Sequence, residues 1–253
     1  MSDQGSDTSQ DQASNGSDQR EEPKETDQQR YTKLALRSSV WKHLCETRGQ
    51  RYIDNRLDNY LVSCPGQQAA VDALKEYAAD YENRFAAGEN IILLGPVGTG
   101  KDHLAFAMAH AAVASFRTVL WISGADLWMA YREAMKNEGH DNELVSWCGT
   151  FTPRLSHCSE SGVTSKLSTA DVLVLSDPLP PSGALTDWQA EKLIQIVDRR
   201  YSHMLPTYLT INVANRAEAE QRMGAASVDR LAHGALVITC NWESYRKAGS
   251  KPQ

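Results

Sequence analysis

The chain has 253 residues, 41% of them hydrophobic, which suffices for one full-sized core with a small appendage, and its formal net charge is −6. Eight acids against three bases in the first thirty residues hold five of those six charges, so the remainder is nearly neutral and makes no bulk electrostatic case for or against nucleic acid. No apolar run approaches the roughly 18–20 residues of a membrane span and no basic-then-apolar leader opens the chain, so a cytoplasmic protein with no membrane partner is expected.

Residues 1–30 are Ser, Asp, Gln and Glu with almost nothing apolar, and read as a disordered acidic tail. Tyr31 to Glu46 has a weak helical pattern, Asn55 to Pro65 looks irregular, and Pro65-Gly66 reads as a turn. Together residues 31–67 form a short N-terminal segment that could serve a partner, ahead of a main domain over 68–253. Val71, Leu74, Tyr77, Ala78 and Tyr81 recur at helical spacing, which predicts a helix over Ala69–Phe85 with Gly88 placed to end it.

Apolar runs of strand length follow at Ile91–Leu94, Thr118–Ile122, Asp171–Leu175, Thr207–Asn212 and Ala235–Thr239, alternating with helical stretches at His103–Ala114, Ala125–Met135 and Asp187–Arg200. Strands apolar on both faces that alternate with helices imply a three-layer α/β fold around a parallel five-stranded sheet. Cys148–Thr169, rich in Ser, Gly and Thr, reads as a long loop. The five cysteines are scattered without a CxxC pair and read as free thiols, with Cys148, His157 and Cys158 as ordinary loop residues rather than a zinc site. Arg199-Arg200 is the local basic patch that stands out.

Gly95-Pro96-Val97-Gly98-Thr99-Gly100-Lys101 lies directly after a strand and opens a helix through Asp102 and His103. Glycines there let backbone N–H groups curl around a triphosphate, the helix N-terminus adds favourable charge, and Lys101 reaches the outer phosphates, so ATP is the expected cofactor. Asp102 stands where a Ser or Thr normally offers a hydroxyl to Mg²⁺. Its carboxylate is a good hard ligand, but without metal it repels phosphate, so nucleotide affinity should depend steeply on Mg²⁺.

A P-loop requires a partner strand beside it, and Asp171-Val-Leu-Val-Leu-Ser176-Asp177 has the form of that acidic Walker B strand. In the usual register Ser176 takes the metal-ligand position and Asp177 that of the water-activating carboxylate; a one-residue slip makes Asp177 the ligand. Either way one acid is missing, and hydrolysis should be slow. Pro178-Leu179-Pro180-Pro181 gives a rigid exit. Asn212, at a strand end, is placed to touch the attacking water or the outer phosphate, and Arg230 and Arg246 are candidates for stabilising phosphate charge, in cis or from a neighbouring subunit.

Gly98-Thr-Gly-Lys-Asp-His-Leu-Ala105, Gln195-Ile-Val-Asp-Arg-Arg200, Pro206-Thr207 with Thr210 and Asn212, Asp229-Arg-Leu231 and Asn241-Trp-Glu-Ser-Tyr-Arg246 together resemble the DnaC helicase loader and IstB family, over about Leu57 to Lys247. The last segment is far more specific than the P-loop. The resemblance implies an AAA+ core that self-assembles through its ATP site, binds single-stranded DNA and delivers a DnaB-type replicative helicase. It implies Asn212 as sensor I, Arg230 as the finger acting in trans and Arg246 as sensor II. Ser176 in place of an aspartate, Ala226 in place of a further arginine and the long loop depart from the family, and residues 31–67 do not match the loaders' N-terminal helical domain. The alternatives are an IstB-like transposition helper serving a transposase, or a degenerate ATP-binding scaffold with little hydrolysis. A small-molecule kinase is disfavoured because no arginine-rich lid segment is visible after the helix that follows the third strand.

Overall fold

The computed structural model describes residues 26–136 and 158–246. β1 (Ile91–Leu94), β2 (Val119–Ser123), β3 (Val172–Ser176), β4 (Thr207–Ile211) and β5 (Leu236–Thr239) form one parallel sheet in the order β2-β3-β4-β1-β5. The strand carrying the acidic motif is therefore not the immediate neighbour of the P-loop strand. β4 lies between them, with Leu94 opposite Ile211 and Ser176 opposite Thr210.

Strand side chains alternate between the faces, and each face buries its own core. Ile91, Leu93, Val119, Trp121, Val172, Val174 and Tyr208 pack against α1 (Asp27–Arg48), α2 (Pro65–Ala79), α3 (Tyr81–Ala86) and α4 (Lys101–Ala114). Ile92, Leu94, Leu120, Ile122, Leu173, Leu175, Leu209 and Ile211 pack on the other face against α5 (Gly124–Ala134), α6 (Glu160–Thr169), α7 (Asp187–Ser202), α8 (Arg216–Met223) and α9 (Ala225–Ala232). This is the expected three-layer α/β architecture. In open parallel sheets ligands gather at the carboxyl ends of the strands, where the P-loop, Ser176 and Asn212 all lie.

Several local expectations need correcting. Pro65 is the first residue of α2 rather than part of a turn, as its fixed φ and missing N–H suit that position. The single helix expected over Ala69–Phe85 is two, divided at Asp80. The irregular stretch Asn55–Pro65 contains a short 3-10 turn at Leu57–Asn59, and another precedes it at Gln50–Tyr52. The C-terminal part of the supposed loop Cys148–Thr169 is α6, capped by the Ser159 hydroxyl, which accepts from the Gly162 N–H at 3.1 Å; residues 148–157 lie outside the described ones. Val163 and Leu167, one turn apart, are fully buried. Burying each contributes about 1.5–3 kcal/mol, which offsets Ser, Thr and Gly propensity costs of about 0.5–1 kcal/mol per residue.

Arg200 is not part of a surface patch. It is 1% exposed, and its guanidinium staples three elements: Nη1 donates to the Leu167 and Ala170 carbonyls at 3.0 and 2.8 Å, Nη2 to those of Asp171 and Pro206 at 3.2 and 2.7 Å, and Nε to Thr207 Oγ1 at 3.0 Å. Burial pushes its pKa down to about 9, with Asp171 opposing. Because the guanidinium satisfies carbonyls that water cannot reach, Arg200→Met should cost about 3 kcal/mol or more, and Arg200→Lys should not restore it because it lacks the fork. Urea unfolding measures this, and an unchanged midpoint in the methionine variant contradicts it.

Candidate functional site

The loop between β1 and α4 follows from where its glycines sit. Gly98 and Gly100 adopt φ of 87° and 86°, and Gly95 has φ of 140°. A Cβ on Gly95 would overlap the Cys240 carbonyl, and one on Gly100 would stand 2.9 Å from the Tyr60 ring. The loop's outer wall is the C-terminal motif. Trp242 Nε1 and the Tyr60 hydroxyl each donate to the Thr99 carbonyl at 2.8 Å, the Tyr245 N–H donates to the Gly98 carbonyl at 3.0 Å, and the Tyr245 hydroxyl donates to the Leu61 carbonyl. Thus Asn241–Arg246 is anchored on the P-loop, with the aliphatic stem of Arg246 beside Gly98.

Lys101 is 7% exposed, and its Nζ donates to the Gly95 and Pro96 carbonyls at 2.8 and 2.7 Å. Burial lowers its pKa, against the pull of Cys240, Asp177 and Asp102. Cys240 is fully buried under the loop, and burial pushes its thiol up to about 12. Among the described residues, Cys45, Cys64, Cys158 and Cys240 form no disulfide, as expected; Cys148 and His157 lie outside the described residues.

Asp102 and Ser176, separate departures in the sequence, are in contact. Ser176 Oγ and Thr210 Oγ1 each donate to Asp102 Oδ1 at 3.0 Å, and Arg48 Nη2 donates to Asp102 Oδ2 at 3.1 Å. Ser176 and Thr210 are 5% and 2% exposed, so without the carboxylate two buried hydroxyls would lack this acceptor. The cluster offers only oxygen donors, the set a hard cation such as Mg²⁺ takes alongside nucleotide oxygens. Among the described residues no group of three or more His, Cys, Asp and Glu side chains could hold a metal unaided.

Asp177 follows at the end of β3 with φ of 51°, a left-handed conformation that Asp tolerates better than most residues. Its N–H donates to the Thr210 carbonyl at 2.8 Å, and its carboxylate accepts from Asn212 Nδ2. Burial raises its pKa; Lys101 opposes this and Asp102 adds to it. Gly124, at the start of α5, lets β3 end this way, since a Cβ there would overlap the Asp177 carbonyl. Arg222 clamps the same edge by donating to the Asn212 and Pro180 carbonyls at 3.2 and 2.8 Å.

Lys101, Asp102, Ser176, Asp177, Asn212 and Arg246 therefore meet around one loop. Two sequence candidates do not join them. His103 turns its ring away from the loop, with Nε2 donating to the Arg56 carbonyl at 2.9 Å and the ring edge-on to Tyr60. Arg230 Nε donates to Asp198 at 2.6 Å across the α7–α9 contact. The sequence reading missed Arg48, Tyr60, Gly124 and Arg222. None belongs to a periodic pattern or motif, because each matters only through a partner distant in the chain.

The family model described as IstB-like ATP binding protein matches residues 74–148. The replicative helicase loader DnaC of Escherichia coli (strain K12) is 32% identical over 192 residues, covering 75% of this chain and 68% of that protein. Among solved structures, the DnaC helicase loader superposes with a TM-score of 0.61 at 22% identity over 76% of this chain and 99% of the other. The replication initiator DnaA bound to AMPPCP and single-stranded DNA superposes at 0.56 and 22% identity, over 77% and 51%.

Proposed function

This chain belongs to the DnaC/IstB family of AAA+ ATP-binding proteins, and from that premise we propose that it is a nucleotide-dependent DNA-replication helper of the helicase-loader kind. ATP with Mg²⁺ holds its subunits together on single-stranded DNA beside a DnaB-type replicative helicase, and slow hydrolysis releases them. The observation that carries this reading is the convergence of a glycine-lined loop, Lys101 and the Asp102–Ser176–Thr210 cluster at the carboxyl edge of the sheet. Superposition on a DnaA that holds AMPPCP and single-stranded DNA supports the DNA part.

The residues fit the nucleotide and its metal. Gly95 to His103 supply the backbone cradle, Lys101 supplies the positive charge, and Asp102, Ser176 and Asp177 supply the oxygen set for Mg²⁺. Bound there, Mg²⁺ would neutralise charge on the phosphate oxygens. Asp177, whose carboxyl pKa burial raises, is placed to accept the proton of a water that Asn212 helps to orient. Arg246 stabilises phosphate charge in cis, and Arg230, displayed on α9, acts on a neighbouring subunit.

Asp102 and Ser176 have exchanged chemistry: the P-loop position carries the carboxylate and the strand carries the hydroxyl, still 3.0 Å apart. The site thus keeps one of each instead of having simply lost an acid. Hydrolysis stays slow because that carboxylate is already engaged by three donors. The matching family model, which takes its description from IstB, supports a second reading as a transposition helper that serves a transposase.

Two outcomes test these statements. Mixed with a DnaB-type helicase and ATP, the protein should form a complex that places the helicase on circular single-stranded DNA; no complex with helicase, but ATP-dependent binding to a transposase, would favour the second reading. For the exchange, Asp102→Ser and Ser176→Asp should each weaken Mg²⁺-dependent nucleotide binding by about tenfold, whereas the double variant should recover affinity to within about threefold, a residual of about 0.65 kcal/mol. A double variant as impaired as the worse single one would contradict the exchange.

A further inference from the structure

The nucleotide cluster contains a cation that neither the loop nor the sheet supplies. Arg48 is the last residue of α1, a helix that ends more than forty residues before the P-loop and lies along α4 and β2. Its guanidinium carbon sits 4.3 Å from the ring centres of both Tyr52 and Trp121, and its side chain is only 14% exposed. Two aromatic faces therefore fix the charge in place, and Nη2 meets Asp102 Oδ2 at 3.1 Å. Asp102 Oδ1 is meanwhile taken by Ser176 and Thr210. Holding Arg48 there leaves its buried Nε without a hydrogen-bond partner among the described residues, so the contact is not a fully satisfied one.

We propose that Arg48 is a built-in counter-cation that competes with the divalent metal for Asp102, and that it thereby ties the docking of α1 to the metal requirement of the nucleotide site. The proposal rests on the nucleotide reading above. A cation drawn to Asp102 must take Oδ2 from Arg48 or share it against the repulsion of a guanidinium fixed between two rings. Without metal, Arg48 cancels the charge that Asp102 would otherwise set beside the phosphates. Linkage is reciprocal: metal binding loosens the last turn of α1, and a partner that draws α1 away frees Asp102 and tightens the metal. The N-terminal half of α1 leaves Tyr31, Leu34 and Leu36 exposed, so the helix has surface by which it can be drawn.

The experiment is equilibrium binding of a fluorescent ATP analogue at a series of Mg²⁺ concentrations, for the full chain and for Arg48→Met, Arg48→Lys, Asp102→Asn and the double variant Arg48→Met/Asp102→Asn. Methionine keeps an apolar stem between the rings, and circular dichroism verifies folding. The Mg²⁺ concentration for half-maximal binding should fall about tenfold in Arg48→Met, stay near the wild-type value in Arg48→Lys, and not differ between Asp102→Asn and the double variant. Loss of affinity at every Mg²⁺ concentration with an unmoved midpoint would make Arg48 a structural residue and overturn the proposal. A midpoint shift that persists in the Asp102→Asn background would overturn it too, since the competition would not be for Asp102. Failure of the wild-type protein to bind nucleotide at any Mg²⁺ concentration would overturn the nucleotide reading itself.

Discussion

The carboxylate at the first turn of α4, 35% exposed, draws its partners from three elements, and two of those partners are buried hydroxyls that need an acceptor. Asp102 takes one from each of β3, β4 and α1: Ser176, Thr210 and Arg48. That requirement fixes the relative height of the P-loop and the two strands beyond it, and gives the N-terminal helix a reason to end where it does. The insertion of β4 between β1 and β3 makes the arrangement reachable, since it sets Thr210 directly between the loop and Ser176.

The same edge is closed from outside by the C-terminal motif. Trp242 and Tyr245 hold the Thr99 and Gly98 carbonyls, while Tyr60 reaches the loop from the N-terminal side. The motif that carries the family resemblance most specifically is thus a structural brace for the phosphate loop, and Arg246 is presented by that brace. Asp177 is held by the Thr210 carbonyl on one side and Asn212 on the other, so the acid and the amide are joined at the end of the sheet.

The sheet, its five strands and the phosphate loop were legible because they are encoded locally: apolar runs of strand length, and glycines at the positions where φ is positive. α6 was not, because its sequence favours a loop and only burial of Val163 and Leu167 on α7's side of the sheet makes it a helix. Arg200 looked like surface charge because nothing in its neighbours reveals that four carbonyls converge on it. Asp102 and Ser176 each departed from an expected pattern, and seventy-four residues of chain hid that each departure answers the other. Arg48 was silent for the same reason, since its partner lies fifty-four residues on.

The central claim is that the loop ending in Lys101 binds ATP with Mg²⁺, and calorimetric titration of ATP into the wild-type protein and Lys101→Ala, with Mg²⁺ and with a chelator, tests it most directly. Saturable binding by the wild type that weakens without Mg²⁺ and is lost in the variant is the predicted result. Equal binding by both proteins, or none by either, would contradict the account.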